Sequence, residues 1–366
     1  MRLKREYYKR EDLYFSLLFG GGIYGWDGEY VQDPLCGDNG EGYLSPLLTN
    51  VITGEQFYTK RYSCSPERLA SCLEMIRRQP MTDHILWPSD IVELKATQQD
   101  DCKLFVAQEY IPEPTPVKER HGDKAFLFPY GGYPSAVNGI RKLQQIDGLN
   151  WKNPEVRKIV TEIALAFESI NRCGYFYTDI HLSRIYFHDD NSVCLDFSHL
   201  IFSIREAVQS SNVLFEVKQE EYPTEFADPS IVRGMRHQMD YHSQNFSLCA
   251  LFFYLLLGQY PYDGRLLTGY SDDSEQAHYL KFRDYHKMPV FIFDPNDEQN
   301  ALGAFYEEQQ VIDLWDELPN CLKELFINTL RCENAERSVL VNNPTPSTWI
   351  RCFQEIGWYE GKRENQ

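Results

Sequence analysis

Along residues 154–172 the apolar positions Val156, Ile159, Val160, Ile163, Leu165, Ala166 and Ile170 recur close to every 3.6 residues, which predicts an amphipathic helix stopped by Cys173-Gly174. A second helix is expected from about Asn245 to Leu257; it is apolar nearly all round and so belongs in the middle of a helical lobe. The first half of the chain reads differently. Short apolar alternations, among them Gln56 to Tyr62 and Lys103 to Ile111, predict strands set among Gly, Pro and aromatic residues. Between the two patterns runs YIPEPTPVKERHG, whose Pro112, Pro114 and Pro116 exclude a helix or a central strand and predict a connector. The expected fold class is α+β: a small, antiparallel β-rich N-lobe with one helix, a connector, and a larger α-helical C-lobe, with a cleft between them. The expected boundaries are 1–28 for an N-terminal extension packed on or near the small lobe, 29–110 for that lobe, 111–358 for the large lobe and 359–366 for a polar tail.

A length of 366 residues fits one large two-lobed domain or two average ones, and 43% apolar with 14% aromatic residues predicts a globular chain. The net charge of −18 repels nucleic acid and anionic membrane, which leaves protein or a small molecule as partner. The longest apolar run, Leu248 to Leu257, is about half of what a bilayer crossing needs, so it is read as a buried helix. The start has the basic and apolar parts of an export signal, but Glu6, Glu11, Asp12, Tyr14 and Ser16 oppose that reading, and a cytoplasmic protein is expected. The ten cysteines include no C-x-x-C pair and are read as reduced thiols. The nine histidines have neither H-x-x-x-H nor H-E-x-x-H spacing, so no metal cage is expected from them.

Chemistry enters with CGDNGEGYLSPLLTNVITGEQFYTKRYS, residues 36–63. A loop with Gly37, Gly40 and Gly42 lets backbone N–H groups approach phosphate oxygens, and Lys60 on the returning strand can reach the same phosphates. The rival loop GGGIYG, Gly20 to Gly25, fits G-x-G-x-x-G better, but Gly42 lies 18 residues before Lys60, one hairpin away, and Gly25 lies 35 before. After Lys60, SPERLASCLEMIRR opens with Ser65 as N-cap and Pro66 at the first helical position. On that helix Glu67 suits the positive helix start, whereas Glu74 suits a fixed ion pair with Lys60.

Two more carboxylates lie in GYFYTDIHLSRIYFHDDNSVCLDFSHL: Asp179 after an aromatic run, and Asp196 at the end of a strand-like Val193-Cys194-Leu195, with an acidic turn at Asp189-Asp190-Asn191 between them. In this order the motifs resemble the protein kinase family over roughly residues 35–355. Lys60 stands at the V-A-I-K lysine, Glu74 at its helix partner, FVAQEYIP at the last small-lobe strand and hinge, Asp179 at the catalytic-loop aspartate and Asp196 in DFS at that of D-F-G. NFSLCALFFYLLLGQYPYDG resembles the central helix of the large lobe, and CENAERS, with Arg337, the late arginine motif. Within the family the look is closest to divergent bacterial Ser/Thr kinase-like proteins and pseudokinases, on Trp87-Pro88 and Phe291 to Pro295.

The resemblance implies ATP with Mg²⁺, or Mn²⁺ in its place: adenine against the backbone of Glu109 to Ile111 with Gln108 behind it, Lys60 paired with Glu74 on the phosphates, Asp179 as base and Asp196 as metal ligand. It implies a protein hydroxyl as substrate or a regulatory protein as partner. Several positions depart from the pattern. Tyr177 and Thr178 replace the histidine and arginine before Asp179, Ser198 the D-F-G glycine, Ser230 the A-P-E glutamate and Gln244 the aspartate opening the central helix; His181 takes a lysine position that faces the transferred phosphate. The departure with the largest consequence is Arg184, five residues after Asp179, in place of the metal-binding asparagine. A guanidinium has no acceptor atom, and held ~4 Å from a divalent ion it would repel it by on the order of 8 kcal/mol at an effective dielectric of ~20. Three functions are therefore expected as alternatives: a kinase using one metal, a pseudokinase that binds nucleotide and recruits a partner, and a nucleotidyl transferase on the same fold.

Overall fold

The computed structural model describes residues 13–18, 21–32, 35–36, 44–62, 73, 76–77, 84–93, 124–129, 136–177, 180–196, 200–202, 225–233, 240–267, 285, 287, 289–303, 306–331 and 343–360. Its strands are β1 Leu13–Phe15, β2 Ile23–Gln32, β3 Leu35–Cys36, β4 Leu44–Asn50, β5 Gln56–Tyr62, β6 Ile85–Leu86, β7 Asp90–Glu93, β8 Lys124–Pro129, β9 Ala136–Asn138, β10 Tyr175–Tyr177, β11 Ile185–Phe187, β12 Val193–Asp196 and β13 Leu200–Phe202. Its helices are α1 Gly139–Gln144, α2 Pro154–Arg172, α3 Pro229–Val232, α4 Tyr241–Leu257, α5 Tyr306–Asp316, α6 Asn320–Leu330 and α7 Pro346–Glu355. The protein is a mixed α+β chain with an antiparallel sheet and several helices. Its contacts divide it into two compact units, Met1–Arg141 with Cys194–Ser198, and Lys142–Val193 with His199–Gln366. Among the described residues no helix is long and apolar enough to cross a membrane.

The first unit is built on a six-stranded sheet of order β1-β2-β4-β5-β8-β7, with every pairing antiparallel. The hairpin between β4 and β5 turns at Asn50, whose Oδ1 accepts the N–H groups of Ile52 and Thr53, while Gly54 adopts φ 79°. Tyr24, Leu48, Phe57, Val92 and Leu127 form the buried core of the sheet. Its two edge strands meet: Ser16 bridges Val92, and the Leu17 N–H donates to the Ile91 carbonyl at 2.8 Å. Among the described residues these contacts tie the two edge strands β1 and β7 to each other. Asp90 fastens this seam, accepting from the Ser16 hydroxyl, the Tyr24 hydroxyl at 2.7 Å and the backbone N–H groups of Gly22 and Ile91. It is 3% exposed, and these four donors replace the water it gives up. The unit runs past the proline connector because β8 lies beyond it and enters the sheet between β5 and β7. β1 and the start of β2 come from the segment read as an N-terminal extension.

In the second unit α2 spans the expected 154–172: Asn153 Oδ1 accepts from the Glu155 N–H at 2.9 Å, Pro154 takes the first turn, and Gly174 at φ 84° redirects the chain. α4 starts at Tyr241, four residues before the expected Asn245, because Asp240 and Ser243 form a reciprocal capping box. It is buried on all sides. Phe253 packs on Phe291, Trp315 and Phe326, and Phe252 on Trp349 and Phe353, so α4 is the axis around which α5, α6 and α7 gather. β10 and β13 pair antiparallel, Tyr177 opposite Leu200.

Candidate active site

The segment after β10 carries most of the candidate chemistry, and a glutamine on α4 fixes its start. The Gln244 side chain is fully buried; its Oε1 accepts the Tyr177 backbone N–H at 2.8 Å and its Nε2 donates to Asn171 Oδ1 at 3.2 Å. Gln244 thereby ties α4 to the strand end two residues ahead of Asp179. Where the resemblance expects an aspartate, the carboxamide does the accepting without burying a charge. The Tyr177 ring packs edge-on against Phe167, and its hydroxyl donates to the Arg184 carbonyl at 2.9 Å. One residue thus anchors both ends of the stretch from β10 to the turn at Arg184.

That turn is a short 3₁₀ segment, Leu182–Arg184, capped by His181. His181 Nδ1 accepts the Ser183 N–H at 3.1 Å and lies 2.6 Å from the Ser183 hydroxyl. A backbone N–H can only donate, so in this geometry Nδ1 is unprotonated and Nε2 carries the proton, which it donates to Glu225 Oε2 at 3.1 Å. His181 is therefore occupied by Ser183 and Glu225. The Arg184 side chain is exposed. β11 follows, and the acidic turn closes through His188 N–H to the Ser192 carbonyl, with Asn191 at φ 69° and Asp190 accepting from the Ser192 N–H and hydroxyl. Those Ser192 hydrogen bonds hold the Asp190 carboxyl below its ordinary value.

Around Glu225 lies a group of aromatic residues that sequence reading does not single out. Phe226 packs between His181, Tyr254 and Tyr260, the last two stacked at 4.6 Å. Burial pushes the Tyr254 and Tyr260 phenols up, with the Glu225 charge adding to both. His181, Glu225 and Tyr254 are far apart in sequence, and no local spacing joins them. Ser230 donates its hydroxyl to Asp228 Oδ1 at 2.7 Å within the capped start of α3, so it is engaged inside its own turn.

Of the predicted site residues, Lys60 lies on β5, opposite Phe126 of β8, and Asp196 ends β12, which runs parallel to β6 with Asp196 opposite Leu86. Both belong to the first unit. The loop with Gly37, Gly40 and Gly42 lies outside the described residues, as do Glu74, Gln108, Glu109, Ile111, Asp179, Ser198 and Arg337. Leu73, Ile76 and Arg77, which flank Glu74, are helical. The strand beside β5 is β8, so the segment leaving the sheet next to the strand of Lys60 follows Pro129. Among the described residues no three His, Cys, Asp or Glu side chains are placed to hold a metal ion. No known protein-family model matches the chain, and no curated protein matches it.

Proposed function

We propose that the chain is an ATP-binding, protein-kinase-like protein that transfers the γ-phosphoryl group to a serine or threonine hydroxyl of a protein. The observation that carries this reading is the connectivity of the sheet. The segment with Gly37, Gly40 and Gly42 follows β3 and leads into β4, within the connection between the antiparallel neighbours β2 and β4, and the next strand, β5, bears Lys60. A glycine-bearing connection followed by a lysine one hairpin later is the arrangement that covers and neutralises nucleotide phosphates. The rival GGGIYG stretch instead leads into the first residues of β2. The second support is Gln244, which holds the backbone entering the Asp179 segment from the most buried helix of its unit.

The chemistry of the donor set fits ATP with a single Mg²⁺, which would supply the activated phosphoryl group. Asp196 would hold the metal through its carboxylate, and Lys60, with Glu74 as its expected partner, would bring a cation to the phosphates. Arg184 offers no metal ligand, and its exposed side chain puts a positive charge at the surface of its turn, where it would act on phosphate and not on the metal. Asp179 orients the acceptor hydroxyl and takes its proton. The adenine-facing backbone is assigned to the segment following Pro129 in place of Glu109 to Ile111, because β8 is the strand paired with β5. Arg184 and the engaged His181 favour a second reading, a pseudokinase whose nucleotide binding gates a protein partner. Calorimetry with ATP, with and without Mg²⁺, tests the shared premise. Saturable binding that weakens in Lys60→Ala is expected, and no heat of binding at millimolar ATP would refute both readings.

A further inference from the structure

Cys173, Cys194, Cys249, Cys321 and Cys352 are free thiols, and two of them face each other. Cys321 lies in the first turn of α6 and Cys352 in the second half of α7, with their sulfurs 2.7 Å apart. This is closer than two unbonded sulfur atoms pack. The approach is held by the fold: Phe326 of α6 and Trp349 of α7 are both fully buried and touch at 5.3 Å between ring centroids, and each also packs on α4. Neither helix has to move far for a bond of about 2.05 Å to form. The two thiols differ in access. Cys321 is half-buried, and Cys352 is 5% exposed.

We propose that Cys321 and Cys352 are a thiol–disulfide site, at which an oxidant of the peroxide class joins α6 to α7 and a dithiol separates them. Cys321 is the sulfur a small oxidant can reach. Its thiolate attacks one peroxide oxygen and the O–O bond breaks; the departing hydroxide takes the proton that the thiol released, giving one water and a sulfenic acid on Cys321. The Cys352 sulfur then attacks the Cys321 sulfur, and the leaving hydroxide takes the Cys352 proton as a second water. Two thiols thus lose two electrons and two protons, and one peroxide becomes two waters. Burial, and next the hydrogen bond with the Cys321 thiol, push the Cys352 thiol up, which disfavours it as the first attacker. The bond closes the chain between positions 321 and 352, a loop that includes the late-arginine stretch CENAERS. It therefore restrains a segment of the helical unit that contributes nothing to the nucleotide reading above.

The test is a peptide map of the wild-type protein after a few equivalents of hydrogen peroxide, with remaining thiols alkylated. Trypsin places Cys321 in the peptide 288–323 and Cys352 in 352–362. The expected product is these two peptides joined, two hydrogens lighter than their sum, and separated again by dithiothreitol. Recovery of both peptides alkylated, or Cys321 joined to Cys332 or any other cysteine, overturns the proposal. Oxidation should also raise the thermal midpoint of the wild type by about 5–10 °C and leave Cys321→Ser and Cys352→Ala unchanged. An equal rise in Cys321→Ser would place the stabilisation elsewhere and overturn the stapling of α6 to α7. The mapping needs only the wild-type chain, so it stands even if Cys352→Ala fails to fold.

Discussion

Replacing Gln244 by Met keeps the length and nearly the volume of the side chain while removing its carbonyl acceptor and its amide donor. Tyr177 has no exposed surface, and its N–H loses the 2.8 Å bond to Gln244 Oε1 with no water to replace it. An unmet buried donor of this kind costs ~1–3 kcal/mol. Asn171 Oδ1, which loses the donor at 3.2 Å, is only half-buried and recovers a water, adding at most about 1 kcal/mol. Asn245 Oδ1 loses a weaker contact at 3.4 Å, and packing is largely conserved, so the sum is about 1–4 kcal/mol. Urea unfolding followed by circular dichroism should show the unfolding free energy falling by that amount through a lower midpoint with the slope unchanged, which marks a change in stability rather than in compactness. Because β10 leads into Asp179, phosphoryl transfer should fall as well. An unfolding free energy within about 0.5 kcal/mol of wild type would refute the claim that Gln244 anchors this segment.

Other consequences can be checked separately. Asp196→Asn should weaken Mg²⁺-dependent ATP binding while leaving metal-free binding nearly intact, read by calorimetry in the two buffers. If the Arg184 charge acts on phosphate, Arg184→Asn and Arg184→Ala should both bind ATP more weakly across a Mg²⁺ titration, whereas a gain in Arg184→Asn alone would show that the guanidinium keeps a second metal out. Identical titrations for wild type and both variants would show that Arg184 faces away from nucleotide. Burial holds Tyr24, Tyr254, Tyr260 and Tyr285 above their ordinary value of 10, with the Asp90 hydrogen bond adding next at Tyr24. The unfolded chain ionises first, so their stabilisation is complete below pH 10 and is lost as pH rises above it. Thermal midpoints should fall steeply above pH 10 and less steeply in Tyr260→Phe, and parallel curves would contradict the assignment.

Periodicity gives α2 to the residue because its apolar stripe, Asn153 cap and Gly174 stop agree. The start of α4 is hidden, since Tyr241 to Gln244 are polar or aromatic and belong to the helix through the Asp240–Ser243 box and the Gln244 bonds, features with no apolar signature. The hairpin from β4 to β5 follows from Thr53-Gly54 between two alternating runs. β8 is illegible for the opposite reason. Lys124 to Pro129 lies between two strands, and its short run of apolar residues after Lys124 lacks the alternation that marks a half-exposed strand. The longer alternation at Lys103 to Ile111, outside the described residues, therefore draws the hinge assignment. The His181–Glu225 pair and the Cys321–Cys352 pair each join residues distant in sequence, and only the tertiary fold brings them together.

Intact-mass spectrometry of the wild type and Asp179→Asn, each incubated with ATP, Mg²⁺ and a generic protein acceptor, tests the phosphoryl-transfer reading most directly. An added phosphoryl group is expected on the wild type or the acceptor, and none with Asp179→Asn. An added adenylate, equal phosphorylation with both proteins, or no addition with either would contradict it.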